Sequence, residues 1–319
     1  MKFGVQIENH VGFAYETVLG VASEAEKLGF DGLFICDHLQ GRTEELAKQP
    51  CLDAWVTLGA LASATRRIDL GTLVSAVGFR YPSLLAKMAA TLDHISRGRL
   101  RLAVGAGWYE PEYEAYGIPF PPVKQRMSEL REGIQIIRSM WTQEKPSFNG
   151  QTHKLKEAWC YPRPSHSKIW VGGTGEKTLL RIVAEVADGW NATGTAPEEY
   201  EKKLKVLESH CGAAGRNVRE IERSYYAPGL TAGNEKDFLE VFRKHYGQYR
   251  RPEESFEALV NRVRGSNRSF IGTEDEVAEK VAEFSKLGVS YLMFYFPDKD
   301  PQGQLKHFAE RIIPAFRDV

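Results

Sequence analysis

The chain is poor in cysteine, has no surplus of either charge and carries no long apolar run. Each shortage removes a class of function. Four cysteines, Cys36, Cys51, Cys160 and Cys211, are scattered over 319 residues, and no two form a CxxC pair. Such spacing suits free thiols in a reducing compartment and offers no disulfide framework. The eight histidines fall in no HExxH and no Cys/His cluster, so no metal site is expected. Lys plus Arg and Asp plus Glu each total 42. A formal net charge of zero argues against a general nucleic-acid binder, which needs a basic surplus, and leaves room for a local basic pocket. No apolar stretch approaches the roughly 20 residues of a membrane span. The first residues run into a strand-like segment, Phe3 to Ile7, not into a basic region followed by an apolar core, so no signal peptide and a cytoplasmic location are expected. Two nucleotide signatures are missing as well: GxGxxG does not follow the first strand, where the sequence reads IENHVG from Ile7 to Gly12, and GxxxxGK[ST] does not occur.

What is present is an alternation of strand-like and helical sequence from one end to the other. Strand-like segments are FGVQIEN (Phe3 to Asn9), GLFICDH (Gly32 to His38), DLGTLVS (Asp69 to Ser75), LRLAVGAG (Leu100 to Gly107), IWVGG (Ile169 to Gly173), GWNAT (Gly189 to Thr193), IERSYYAP (Ile221 to Pro228) and SYLMFYFP (Ser290 to Pro297). Several are near-continuous apolar runs, as expected of parallel strands buried on both faces. Helical spacing follows each, for example Val18, Val21, Ala22, Ala25 and Leu28 before Gly29. Pro82 is placed in the first turn of a helix, a long helix is expected over about 124–141, and a last one over about 302–316. The junctions EAEKLGFDGLFI and AEFSKLGVSYLMF share a KLG turn, which fits a repeated unit. Eight such units point to an α/β fold, a single closed (β/α)8 TIM barrel over 1–319. The open doubly wound sheet lacks its glycine fingerprint. Two segments exceed the minimal barrel: Tyr109 to Pro122, read as a loop over one end, and an inserted helical, charged segment at about 234–268. Such additions are usually lids or binding loops.

Barrels of this kind place their sites at the C-terminal strand ends. Those ends collect Glu8 and Asn9; Asp37 and His38; Val74 and Ser75; Gly105, Ala106, Gly107 and Trp108; Gly172, Gly173, Thr174 and Gly175; Asn191 and Thr193; and Phe296 and Asp298. The turn GGTGEKT (Gly172 to Thr178) follows a strand and opens a helix, an arrangement that suits a phosphate. It also reads as a plain turn that needs glycine for its backbone shape. Asp37–His38 reads either as an acid/base pair or as a histidine capping a loop. Neighbouring strand residues face opposite ways, so only one of the two faces the axis unless the strand has ended. Trp108, Tyr109, Tyr113 and Tyr116 either wall a pocket for a planar ring or pack the long loop onto the barrel.

FGVQIEN, GFDGLFICDH, the block from Asp69 to Gly117, IWVGGTGEKTLLRIVAEVADGW and KLGVSYLMFYFP together resemble the luciferase-like monooxygenase superfamily, in the same order and over nearly the whole chain. The pattern is most similar to its F420-dependent oxidoreductase branch. The resemblance implies a bacterial-luciferase-like barrel with a cofactor across the strand ends, and a bulge carrying a non-prolyl cis peptide behind the cofactor ring, here Leu73–Val74, followed by Ser75. It implies further that Gly105, Ala106 and Gly107 flank the ring and that Gly172, Gly173, Thr174, Gly175 and Glu176 form the cofactor-phosphate loop. His38, with Asp37 beside it, matches a proton donor or ligand contact. The expected activity is hydride transfer between F420 and a small organic substrate. The alternatives are an FMN-dependent monooxygenase served by a flavin reductase, or a barrel that binds a cofactor without catalysis. A homodimer is the implied assembly. One position departs from the pattern: some deazaflavin dehydrogenases carry a glutamate directly after the GxG of strand four, and here Trp108 stands there.

Overall fold

The computed structural model describes residues 1–166, 168–298 and 300–317. Eight parallel strands close into a barrel: β1 (Lys2–Ile7), β2 (Gly32–Ile35), β3 (Asp69–Ala76), β4 (Leu100–Gly105), β5 (Ile169–Gly172), β6 (Gly189–Thr193), β7 (Glu222–Ala232) and β8 (Tyr291–Tyr295). Closure runs through β6 on β7, with Asn191 opposite Ser224, then β7 on β8 and β8 on β1. The eight expected strands are therefore the eight staves of a (β/α)8 barrel.

The strand boundaries differ from the sequence reading in ways that matter for the site. β2 stops at Ile35, so Cys36, Asp37 and His38 belong to the loop beyond it. Strand alternation no longer decides which of them faces the axis. β7 runs on to Ala232, and its far end, Gly229 to Ala232, pairs with an additional strand, Phe270–Thr273. Tyr109 to Pro122 is not all loop. A short helix, Glu110–Ala115, forms there, with a proline and acidic residues in its first turn, and it buries Glu112 and Tyr113. Proline at the start and carboxylates near the N-terminus both favour that turn.

The helices bury the faces that their spacing predicts. Tyr15–Leu28 turns Val18, Val21, Ala22 and Ala25 inward and ends at Gly29, whose φ is +90°. Each large aliphatic side chain so buried contributes on the order of 1.5–3 kcal/mol. Pro82 opens the helix Pro82–Ser96, and Val123–Thr142 is the long helix expected there. Inside the barrel, Phe34, Leu73, Ala103, Trp170, Tyr291 and Met293 pack together, so the interior is filled and the strand ends form its floor. The segment after β7 folds as the helices Glu235–Tyr246 and Phe256–Gly265, with an apolar cluster of its own around Phe238, Phe242 and Leu259. No helix among the described residues is long and apolar enough to cross a membrane.

Candidate active site

The floor of the site is a bulge in β3. Its register with β4 shifts between Thr72 and Ser75, and the Leu73–Val74 peptide is cis. Gln6 donates to the Leu73 carbonyl at 3.0 Å, which pins the bulge to β1. The Val74 side chain then lies over the ends of β4 and β5. A Cβ on Gly105 would come within 2.8 Å of Val74 Cγ2, and one on Gly172 within 2.6 Å of Val74 Cγ1. Both positions need glycine for this close approach.

Beyond β2 the chain turns up beside the bulge and presents His38. Its Nδ1 lies 2.9 Å from Glu112 Oε2. The other oxygen of Glu112 accepts from the backbone N–H of Leu39 at 2.5 Å and of Gln40 at 3.2 Å. Glu112 is 1% exposed, so the short helix delivers a buried carboxylate directly onto the His38 loop. Tyr116 OH donates to the Leu39 carbonyl and Tyr109 OH to the Arg42 carbonyl. Trp108 and Tyr109 meet the His38 ring edge to face, at 6.1 and 6.4 Å, and the Arg42 guanidinium lies over Trp108.

Asp37 points elsewhere. Its Oδ2 accepts from Ser75 Oγ at 2.7 Å and from Arg80 Nη1 at 2.5 Å. Ser75 in turn accepts from the Trp55 indole N–H, and Arg80 also reaches Asp53, which caps the helix Ala54–Ala64. Burial lifts the Asp37 carboxyl above its ordinary range against the pull of Arg80 and Ser75. The carboxylate partner of His38 is thus Glu112, and Asp37 is an anchor beneath the bulge.

A second polar cluster lies at the end of β1. Tyr226 OH donates to Glu8 Oε1 at 2.6 Å. The other Glu8 oxygen is 3.4 Å from His10 Nδ1, which is also 3.4 Å from Cys36 Sγ. Among the described residues these are the donor atoms that come near enough to suggest a metal ion. The Cys36 thiol donates to Asn9 Oδ1 at 2.9 Å, and burial holds it well above the usual thiol range. Burial, with His38 and Arg42 nearby, pushes the His10 imidazole down to about 3. Burial, with Glu8 next, raises the Tyr226 phenol.

These features surround a cavity of about 420 Å³. Of the residues expected from sequence, Asp37, His38, Leu73, Val74, Gly107, Gly172 and Gly173 line it. Ser75 is buried beneath it, Gly105 packs under Val74, and Ala106 is buried outside it. Glu8, Asn191 and Thr193, noted only as strand-end residues, also line it, as do Trp108, Tyr109 and Tyr113 of the aromatic set, and Arg42, Glu112 and Tyr226. Periodicity gives no signal for Arg42 or Glu112, since both sit in loop or short-helix sequence and arrive by tertiary packing.

The GGTGEKT turn divides between two spaces. Gly173, with φ at +133°, faces the first cavity. Gly175 and Glu176 line a neighbouring one of about 660 Å³, together with Lys124, Arg131, Lys177 and Arg181. Lys203 donates to the Thr174 carbonyl at 3.2 Å and to Glu176 Oε1 at 2.9 Å. Thr174 lines neither space, and the Glu176 carboxylate is held by a lysine. The helix itself begins at Leu179, three residues after Glu176.

The model of the luciferase-like monooxygenase family matches residues 1–291. An F420-dependent glucose-6-phosphate dehydrogenase of Microbacterium testaceum (strain StLB037) is 31% identical, over 99% of this chain and 98% of that protein. One of Nakamurella multipartita is 30% identical, over 96% and 94%. Among solved structures, an F420-dependent secondary alcohol dehydrogenase in complex with an F420–acetone adduct superposes with a TM-score of 0.82 at 21% identity, over 99% of both chains.

Proposed function

Because the chain belongs to the luciferase-like monooxygenase family, we propose that it is an F420-dependent oxidoreductase that moves a hydride between the deazaflavin and a small organic substrate. The observation that carries this reading is the seat at the strand ends: the Leu73–Val74 bulge faces the cavity over two glycines, with His38 at its edge. A flat ring needs such a smooth, close-approach surface. Leu73 and Val74 back the ring in this reading, and Gly107, Gly172 and Gly173 border it. The neighbouring space fits the anionic remainder of the cofactor. Lys124 and Lys177 line it without a described ion-pair partner, and the backbone of Gly175 and Glu176 is at hand. The full-length relatives whose names state F420 dependence support F420 over FMN.

When bound, the cofactor supplies the hydride chemistry, and the chain supplies orientation and proton handling. His38 is the proton-transfer group in this reading. Its Nδ1 is engaged by Glu112, which leaves Nε2 for the substrate. Asp37, bound to Arg80 and Ser75, holds the bulge in place. Arg42 is the one Lys or Arg among the described residues lining the cavity, and it lies over Trp108. The space favours an uncharged or singly charged substrate beside aromatic walls.

Titration of the purified protein with F420 and, separately, with FMN, followed by fluorescence, tests the proposal. Selective F420 binding is expected. Selective FMN binding would replace this reading with an FMN-dependent monooxygenase and its flavin reductase, and binding of neither would leave a barrel without cofactor chemistry.

A further inference from the structure

We infer that Glu112 is a positioning residue that fixes the tautomer of His38, so that Nδ1 carries the ring proton and Nε2 is the working nitrogen. The inference deepens the proposed function, since it says how the proton-transfer group of that site is set.

Oε1 of Glu112 receives two backbone N–H groups, those of Leu39 and Gln40, at 2.5 and 3.2 Å. Both groups can only donate, so Oε1 must accept. Oε2 lies 2.9 Å from His38 Nδ1. As a carboxylate, Glu112 is an acceptor at both oxygens. The hydrogen between Oε2 and Nδ1 therefore belongs to the imidazole. In neutral His38, Nε2 is then bare, free to take a proton from a substrate hydroxyl as a hydride leaves the same carbon. In the cation it returns that proton in the reverse direction. A histidine whose second nitrogen is fixed by a carboxylate is the usual way a protein sets tautomer and ring orientation together.

Glu112 is suited to this task by its place in the fold. It is 1% exposed and sits on the helix Glu110–Ala115, which the Tyr109 and Tyr116 hydroxyls tie to the 39–42 loop. Its grip spans both the ring and the backbone that carries the ring. No other described carboxylate contacts the His38 side chain; the remaining ring neighbours are His10, Trp108 and Tyr109. Position 108, where some deazaflavin dehydrogenases carry a glutamate, is tryptophan here, and Glu112, four residues further on, brings a carboxylate to His38.

Glu112→Gln is the informative variant. The amide has one acceptor oxygen and one donor nitrogen. The oxygen is required by the Leu39 and Gln40 N–H groups, so the NH₂ is left facing Nδ1. Nδ1 must then be bare, and the ring proton moves to Nε2. Nitrogen-15 NMR of the histidine-labelled protein, with His38 assigned by its absence in His38→Gln, reads this directly and needs neither cofactor nor substrate. Wild type is expected to show a protonated Nδ1 and a bare Nε2. Glu112→Gln is expected to show the reverse, and Glu112→Asp to keep the wild-type pattern. A wild-type His38 protonated on Nε2 would overturn the inference, and so would an unchanged tautomer in Glu112→Gln. Should the glutamine variant not fold, the wild-type spectrum alone still decides. F420 titration of wild type separates this result from the proposed function: loss of F420 binding would defeat the functional reading and leave the tautomer result standing. Once a substrate is in hand, Glu112→Gln should lower turnover by about 10²-fold or more, the usual reach of a general base.

Discussion

Val74 and Gly172 compete for one space. The Val74 side chain fills the volume that a Cβ on Gly172 would need, with Cγ1 only 2.6 Å from that position. Val74 is short and branched, and its backbone is held by the Gln6 bond to the Leu73 carbonyl. A methyl on residue 172 therefore has to push Val74 into the cavity. Gly172→Ala should weaken F420 binding by about tenfold or more, in line with the roughly 1–3 kcal/mol of overpacking. Val74→Ala in the same chain should restore most of it. Fluorescence titration of the two singles and the double gives the coupling; additive effects would refute the shared seat.

The Asp37–Arg80 pair is the next most sensitive contact. Removing one partner leaves the other charged and buried, at a cost of about 3–5 kcal/mol. Arg80→Met should therefore lower the urea midpoint strongly, and Arg80→Lys less so. Because Ser75 and Trp55 hang on the same carboxylate, Arg80→Met should also disturb the bulge and weaken cofactor binding. A variant as stable as wild type would show that the pair contributes nothing.

His10 sets an acid limit. Burial, then His38 and Arg42, lower its pKa from 6.5 to about 3. The unfolded chain binds this proton below 6.5 and the folded chain resists it, so stability is complete above pH 6.5 and falls as the pH drops toward 3. The slope from this group is about 1.4 kcal/mol per pH unit at most. Urea titrations at several pH values should show a shallower acid loss in His10→Gln than in wild type. Parallel profiles would remove His10 as the cause.

The cationic rim of the second cavity makes a salt prediction. Among the described residues Lys124 and Lys177 are the lining cations without an ion-pair partner, while Arg131 and Arg181 flank Glu185. Lys124→Ala with Lys177→Ala should raise the F420 dissociation constant by several-fold and flatten its dependence on ionic strength, since exposed charges act through screened fields. An unaltered salt dependence would place the anionic part of the cofactor elsewhere.

Glucose 6-phosphate, the substrate in the names of the relatives, should fail to reduce F420 at a useful rate here. Arg42 is the one Lys or Arg among the described lining residues, and it lies over Trp108, a poor clamp for a dianion. Absorbance of F420 at substrate concentrations up to the millimolar range checks this, and rapid bleaching would refute it.

The sequence alone was enough for the barrel, because eight apolar segments and the helical spacing between them record burial residue by residue. It also placed His38, Val74 and the two glycine turns at the C-terminal ends of the strands, since strand ends follow from strand order. Tertiary structure decided what those residues do. β2 ends three residues early, so Asp37 and His38 diverge, one to Arg80 and the other to Glu112. The partner of His38 lies 74 positions away, on a helix of six residues whose pattern is too short to announce a buried face. The strand count is a local property, written in every few residues of the chain. The pairing of a histidine with a distant carboxylate depends on how two loops pack over the barrel mouth, and no local spacing encodes that.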